Sequence, residues 1–334
     1  MEPFRILVPA TDENFDEAAY LAANRDVAKA VAKGTVESGR VHFDVFGRNE
    51  GRQLRRPIPV AMKAAKLAHV RPLLGDGTLV AETPALLDCL PQTTRDELDL
   101  DPTENVSAHE YDDRALALIE RHRDGLVLDC GAGLRSTYYP NVVNYEIVDY
   151  DTTDVLGAAE RLPFADESFD AVLSLNVLEH VKDPFVAARE IMRVMKPGAE
   201  LMAVAPFLQP LHGYPHHYYN MTAQGLSNLF EPLEARSLVV EGAMHPAYAL
   251  GWILKRYADG LSREDRDRLE ELRISDVIRD YDAPLHQHPL PISLSGAALS
   301  ELASAHALLA VKPVRAVCEN MAHAKMSGAA SRGF

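Results

Sequence analysis

Two stretches of the chain concentrate residue types that can do chemistry. The first is GLVLDCGAGLRS, residues 125–136, where the apolar run Leu126–Leu128 leads into Asp129 and the glycines Gly131 and Gly133. Without Cβ atoms, glycines at that spacing let a turn bring its backbone close to a ligand. The second is PFLQPLHGYPHHYYNMT, residues 206–222, in which His212, His216, His217, Tyr218, Tyr219 and Asn220 crowd a segment shaped by proline and glycine. Imidazole suits proton transfer near neutral pH. Between the two, Asn176 and His180 of LNVLEHV follow the apolar run AVLSL. The loop histidines lack a neighbouring cysteine and any His-x-x-Glu-type spacing, so they are read as acceptor-binding residues, one acting as a general base. No metal is expected.

The ligand of the glycine turn is narrowed by elimination. A phosphate-cradling P-loop ends in Gly-Lys-Ser/Thr, which is absent, and a dinucleotide fingerprint wants glycine where this chain has Ser136. What remains is a turn for S-adenosylmethionine, in which an acid two residues before the first glycine faces the amino-acid end of the ligand. Asp129 stands there.

VLDCGAG, RLPFADESFDAVLSLNVLEHV and EIMRVMKPGAEL follow one another in order. Together they resemble the class I S-adenosylmethionine-dependent methyltransferases of the type 11-like group, firmly over residues 125–206 and over 105–313 with the terminal strands. PFLQPLHGYPHHYYNMT is similar to bacterial members of that group. The resemblance implies an α/β fold, a Rossmann-like seven-stranded sheet with the last strand antiparallel. It also implies S-adenosylmethionine lying across the carboxyl ends of the first strands. Asp129, Gly131 and Gly133 match the first motif, and Glu146 falls at the end of the second strand, where a carboxylate accepts both ribose hydroxyls. Asp149 and Asp151 are its rivals. Ala158, Ala159 and Glu160 fall where the family often has an Asp-Ala pair at adenine, and Asn176 and His180 fall near the transferable methyl. Three departures stand out. Arg135 replaces the third glycine, free to pair with the ligand carboxylate or to point to solvent. The crossover before Glu146 is too short for the usual helix. Ala158 lacks the carboxylate that commonly meets the adenine amino group.

These residues need a scaffold. DDRALALIERHRDG reads as a helix, and VVNYEIV, DVLG, AVLSLN, the helix PFVAAREIMRVM and ELMAVAP alternate as a mostly parallel sheet requires. SLVVE (237–241) and HALLAVKP (306–313) read as a last pair of strands around a helical insertion, 243–300, that forms a lid or cap. There Ser262 opens a capping box for one helix through Leu269, Leu272 and Val277, while Trp252 and Tyr257 either line an acceptor pocket or belong to the core. Residues 71–104, rich in Pro, Gly, Thr and Asp, read as a linker with little regular structure, and 314–334 as a frayed tail. Residues 1–70 form an N-terminal helical module. Its pattern YLAANRDVAKAVAKG…SGRVHFDVFGRNEGR resembles a module of bacterial glycosyltransferases and other surface-polysaccharide proteins, implying biological context and a place where a protein partner could dock.

The 334 residues carry a formal charge of −15, which opposes a nucleic-acid partner. Arg48, Arg52, Arg55, Arg56, Lys63, Lys66 and Arg71 form the one basic cluster, and they read as a solvated helix face. Cys89, Cys130 and Cys318 form no paired motif and suit a reducing cytoplasm, and neither a signal peptide nor a membrane span is evident. The sequence therefore predicts a cytoplasmic methyltransferase acting on oxygen or nitrogen of a small-molecule or glycan acceptor. A non-catalytic binder of S-adenosylmethionine or S-adenosylhomocysteine and a nicotinamide-dependent oxidoreductase are the alternatives.

Overall fold

The computed structural model describes residues 2–78, 80–98, 107–213 and 216–306. Contacts divide the chain into two units, Met1–Asp259 and Gly260–Phe334. Within the first unit the strands are β1 (Phe4–Arg5), β2 (Leu7–Pro9), β3 (Gln53–Arg55), β4 (Ala81–Thr83), β5 (Leu86–Asp88), β6 (Val127–Cys130), β7 (Thr137–Tyr138), β8 (Val142–Glu146), β9 (Val155–Leu156), β10 (Phe169–Leu175) and β11 (Met195–Val204). Its helices are α1 (Glu17–Ala23), α2 (Arg25–Ala32), α3 (Gly39–His42), α4 (Val60–Val70), α5 (Gln92–Glu97), α6 (Asp113–Arg121), α7 (Pro184–Val194), α8 (Ala223–Leu229) and α9 (Pro246–Asp259).

Seven strands make one sheet in the order β11-β10-β6-β8-β9-β5-β4. All neighbours are parallel except β4 and β5. Because side chains alternate across a strand, the apolar runs split between two faces. Leu128, Cys130, Val143 and Tyr145 join α4 and α7 in one core, whereas Val127, Val142, Ala171 and Leu173 pack with Ala115, Leu118 and Ile119 of α6. Helix α6 starts where Asp112 accepts the Ala115 N–H at 2.8 Å, and α7 where Asp183 accepts the Val186 N–H at 3.0 Å, ahead of Pro184 in the first turn. The N-terminal helices surround their own core of Tyr20, Val27, Phe43 and Leu54.

Five expectations need correction. The antiparallel strand of the sheet is β4, at the edge opposite β11, and it comes from early in the chain rather than from its end. Residues 237–241 form no strand, because they make no ladder bonds and Leu238 and Val240 are exposed, while 307–334 lie outside the described residues, taking with them nearly all of HALLAVKP, the tail and Cys318. The supposed linker supplies β4, β5 and α5: Leu87 pairs with Val155, and this hairpin extends the sheet. The basic cluster is solvated only in part, at Arg48, Arg56 and Arg71. Lys63 and Lys66 are buried, and Arg48, Arg52, Arg55 and Arg71 pair with Asp44, Asp26, Asp151 and Glu82. The single helix expected from Ser262 is broken at Leu272 and Arg273 into α10 (Arg263–Glu271) and α11 (Ile274–Arg279), which with α12 (Gly296–Glu301) belong to the second unit. Ser262 does cap α10, accepting the Asp265 N–H at 3.2 Å.

The crossover between β6 and β8 contains no helix, as its length predicted. It forms β7, which pairs antiparallel with β1. The covering helix is α4, from upstream: Leu67 and Val70 fill the core, and Lys66 Nζ bonds Asp154 Oδ2 at 2.8 Å and the Val142 carbonyl at 2.6 Å. Among the described residues no helix is long and apolar enough to cross a membrane.

Candidate functional site

Strands β6 and β10 are parallel neighbours, so the loops leaving their carboxyl ends share one edge of the sheet. Gly131 has φ +80°, and a Cβ there would lie 2.4 Å from Val177 Cγ2, so the turn after β6 packs on the loop after β10. Gly133, at φ +62°, donates its N–H to Glu146 Oε2 at 2.7 Å, and Ile147 donates to Oε1 at 2.8 Å. The turn is thus clasped by the carboxylate that ends β8. Burial pushes the Glu146 carboxyl up, opposed by those N–H donors. Its rivals stand apart: Asp149 is exposed and Asp151 is tied to Arg55 at 2.8 Å.

Asp129 is 0% exposed, and its two oxygens differ. Oδ2 accepts from Tyr111 Oη at 2.5 Å and from Arg135 Nε and Nη2 at 3.1 and 2.7 Å. Oδ1 has no partner among the described residues. Arg135 therefore does not face solvent. Its guanidinium lies 4.1 Å from the Tyr111 ring centre and also donates to the His109 carbonyl at 2.8 Å. Ala158 and Ala159 are buried, the Ala158 carbonyl accepting from Tyr145 Oη at 2.9 Å, and Glu160 accepts the Lys182 N–H at 3.2 Å. Asn176, with φ +56°, turns the chain at the end of β10 and is exposed.

Three of the four singled-out histidines meet. The His180 ring centre lies 5.2 Å from that of His212 and 5.4 Å from that of His217, which is itself 4.5 Å from His212. Carbonyls only accept, which fixes the protons. His180 Nδ1 donates to the His216 carbonyl at 2.6 Å and His212 Nδ1 to the Pro210 carbonyl at 2.9 Å. His217 Nδ1 accepts the His212 N–H at 3.2 Å, so its Nε2 donates to Asn220 at 2.9 Å. The His216 ring sits instead beside Tyr218, at 5.2 Å. Trp252 of α9 lies 5.2 Å from His212, which puts it at the cluster.

The residue that sequence reasoning missed is Glu179. It is 0% exposed, and neither carboxylate oxygen has a hydrogen-bond partner among the described residues. Oε1 lies 3.7 Å from His180 Nε2 and 4.0 Å from His212 Nε2. Burial pushes the Glu179 carboxyl up to about 8 and His180 down to about 4, and it lowers His212 too. The available signal was an acid between Leu178 and Val181, both of which are buried.

Residues 128–203 match a family model described as a methyltransferase domain. A demethylmenaquinone methyltransferase of Renibacterium salmoninarum is 46% identical over 63 residues, which is 19% of this chain and 26% of that protein. An uncharacterised methyltransferase of Mycobacterium tuberculosis is 37% identical over 94 residues, 28% of this chain and 34% of the relative. The chain thus spans about a quarter to a third of the length of these relatives. Among solved structures, a Thermotoga maritima S-adenosylmethionine-dependent methyltransferase described as a possible histamine N-methyltransferase is 22% identical, with a TM-score of 0.26, over 32% of this chain and 62% of its own.

Proposed function

We propose that this chain is an S-adenosylmethionine-dependent methyltransferase, with the adenosyl ligand on the turn after β6 and the acceptor at the histidine loop. The observation that carries this reading is the unpartnered, buried Asp129 Oδ1 beside two left-handed glycines and the Glu146 carboxylate, within the segment that matches a methyltransferase domain. The residues fit the cofactor. A ligand ammonium would satisfy Oδ1, and Glu146 keeps acceptor capacity for ribose hydroxyls beyond its two N–H donors. Ala159 and Glu160 are the adenine-side contacts, and Asn176 borders the space above β10. When bound, the cofactor supplies a methyl on a sulfonium, whose transfer chiefly needs the acceptor held close and in line.

The histidine loop performs that holding. His180 is too weak a base, at about 4, to carry a proton near neutral pH, and His217 has both nitrogens engaged. His212, backed by Trp252, is therefore the residue that orients the acceptor oxygen or nitrogen. The acceptor class follows from the N-terminal resemblance: a sugar of a surface glycan or its lipid-linked precursor, with the module docking a protein partner. A non-catalytic binder is the second reading, favoured by the grip of Arg135 on Asp129 and by Ala158. The test is S-adenosylhomocysteine release from S-adenosylmethionine with glycan and small-molecule acceptors. His212→Asn should lower turnover at least ~10-fold with cofactor affinity unchanged. Full activity in His180→Asn, His212→Asn and His217→Asn would remove the loop from the reaction, and affinity without turnover on any acceptor would favour the second reading.

A further inference from the structure

Glu179, His180 and His212 each offer one ligand atom, and these atoms all lie within 4.8 Å of one another. Three independent features point the same way. First, Glu179 is 0% exposed with both oxygens unpartnered, and a buried carboxylate without compensating charge or hydrogen bonds is costly. Second, both rings spend their Nδ1 proton on a main-chain carbonyl, His216 for His180 and Pro210 for His212, which leaves each Nε2 lone pair on the side of Glu179. A ligating histidine is held in this way, its other nitrogen fixed by an outer acceptor. Third, the cluster is braced. Gly213, at φ +87°, admits the His180 ring where a Cβ would come within 2.2 Å of Cε1, and the Tyr218 N–H donates to the Glu179 carbonyl at 2.7 Å.

We propose that Glu179, His180 and His212 form a binding site for one divalent transition-metal ion, with zinc the best match to the ligand set. Two imidazole nitrogens and one carboxylate are a donor set for zinc with a fourth position left open, whereas magnesium and calcium favour all-oxygen shells. Ligand atoms about a tetrahedral zinc stand ~3.4 Å apart at its usual bond lengths. The separations of 3.7 and 4.0 Å close to that by small side-chain movements. The ion would neutralise Glu179 and, with His212 Nε2 taken up as a ligand, would hold an acceptor oxygen or water at its open position in place of a direct His212 contact; that last role rests on the methyl-transfer reading, while the site itself does not.

The experiment uses the full, untagged chain, stripped with a chelator and titrated calorimetrically with zinc chloride, with bound zinc counted by elemental analysis and the cobalt(II) form examined by visible absorption. One zinc per chain is expected, together with the visible bands of low-coordinate cobalt. Glu179→Gln and His212→Ala should each weaken binding ~100-fold or more, while His69→Ala, an exposed histidine on α4, leaves it unchanged. Folding is checked by thermal melting, and S-adenosylhomocysteine is titrated into the same samples. Substoichiometric zinc in the unaltered chain, or stoichiometric zinc that survives both site variants, would overturn the proposal. Zinc binding without S-adenosylhomocysteine binding would instead overturn the methyltransferase reading alone.

Discussion

Arg135 illustrates how a departure from a motif acquires meaning only in three dimensions. In the sequence it stands where the resembled family has a glycine; in the fold it joins Tyr111 in holding one oxygen of Asp129, while the other has no partner among the described residues. Asp129, Gly131, Gly133 and Glu146 were legible because the chemistry of a close-approach turn constrains type and spacing together. Glu179 was not, because a single acid in an apolar run shows its burial only once the loop after β11 folds over it. Two predictions belong here. Gly213→Ala would force a Cβ against His180, so turnover should fall ~10-fold or more while S-adenosylhomocysteine affinity holds; equal loss of both in titration and rate assays would contradict that division. Burial, with Asp88 adding to it, pushes the Cys89 thiol up to about 11 from its ordinary 9.0. At pH 8 the native chain should therefore carry ~100-fold less Cys89 thiolate than the unfolded chain. Iodoacetamide labelling, followed by peptide mass spectrometry, should be slower by about that factor and rise about tenfold per pH unit until about pH 11. Rates matching the unfolded chain would refute the burial account.

Helix α4 does at the scale of elements what the short crossover cannot. Its buried positions, Lys63, Lys66, Leu67 and Val70, follow the i, i+3, i+4, i+7 stripe of a core-facing helix. Two of those four are lysines, so reading by charge assigned the helix to solvent although its periodicity pointed inward. The lysine stems pass through the core and their ammonium groups end on buried oxygens, those of Asp154, Thr153 and Val142 among them. Strands β4 and β5 were invisible for a different reason: three residues each, joined by a turn at Pro84, they are too short for a local pattern, and only the pairing of β5 with distant β9 makes their hairpin part of the sheet. Lys66→Met should strand the buried Asp154 carboxylate and cost ~3–5 kcal/mol in denaturant unfolding, with a part restored by adding Asp154→Asn. A cost below ~1 kcal/mol would show that α4 is not a structural replacement for the crossover helix.

Across the whole first unit, the glycine turn after β6 and the histidine cluster are brought to one edge by sheet topology, with Val177 packed against Gly131 of that turn. The alternation of strands and helices was readable along residues 125–206 because each element there is locally patterned, whereas the sheet's far edge and its covering helix come from upstream and required the fold. The N-terminal residues are bound into that arrangement through β1 and β7, where the Ile6 N–H reaches the carbonyl of Ser136, the residue next to Arg135, at 2.8 Å. The most direct measurement is calorimetric titration of the full chain with S-adenosylhomocysteine, S-adenosylmethionine and a nicotinamide dinucleotide, alongside Glu146→Gln. The account predicts micromolar binding of both adenosyl ligands, none of the dinucleotide, and a ~10–100-fold loss for the adenosyl ligands in Glu146→Gln, which stays folded with a lowered melting temperature because its amide NH2 faces one of the two main-chain donors. Absence of adenosyl-ligand binding by the folded chain, or equal affinity in the Glu146→Gln variant, would contradict it.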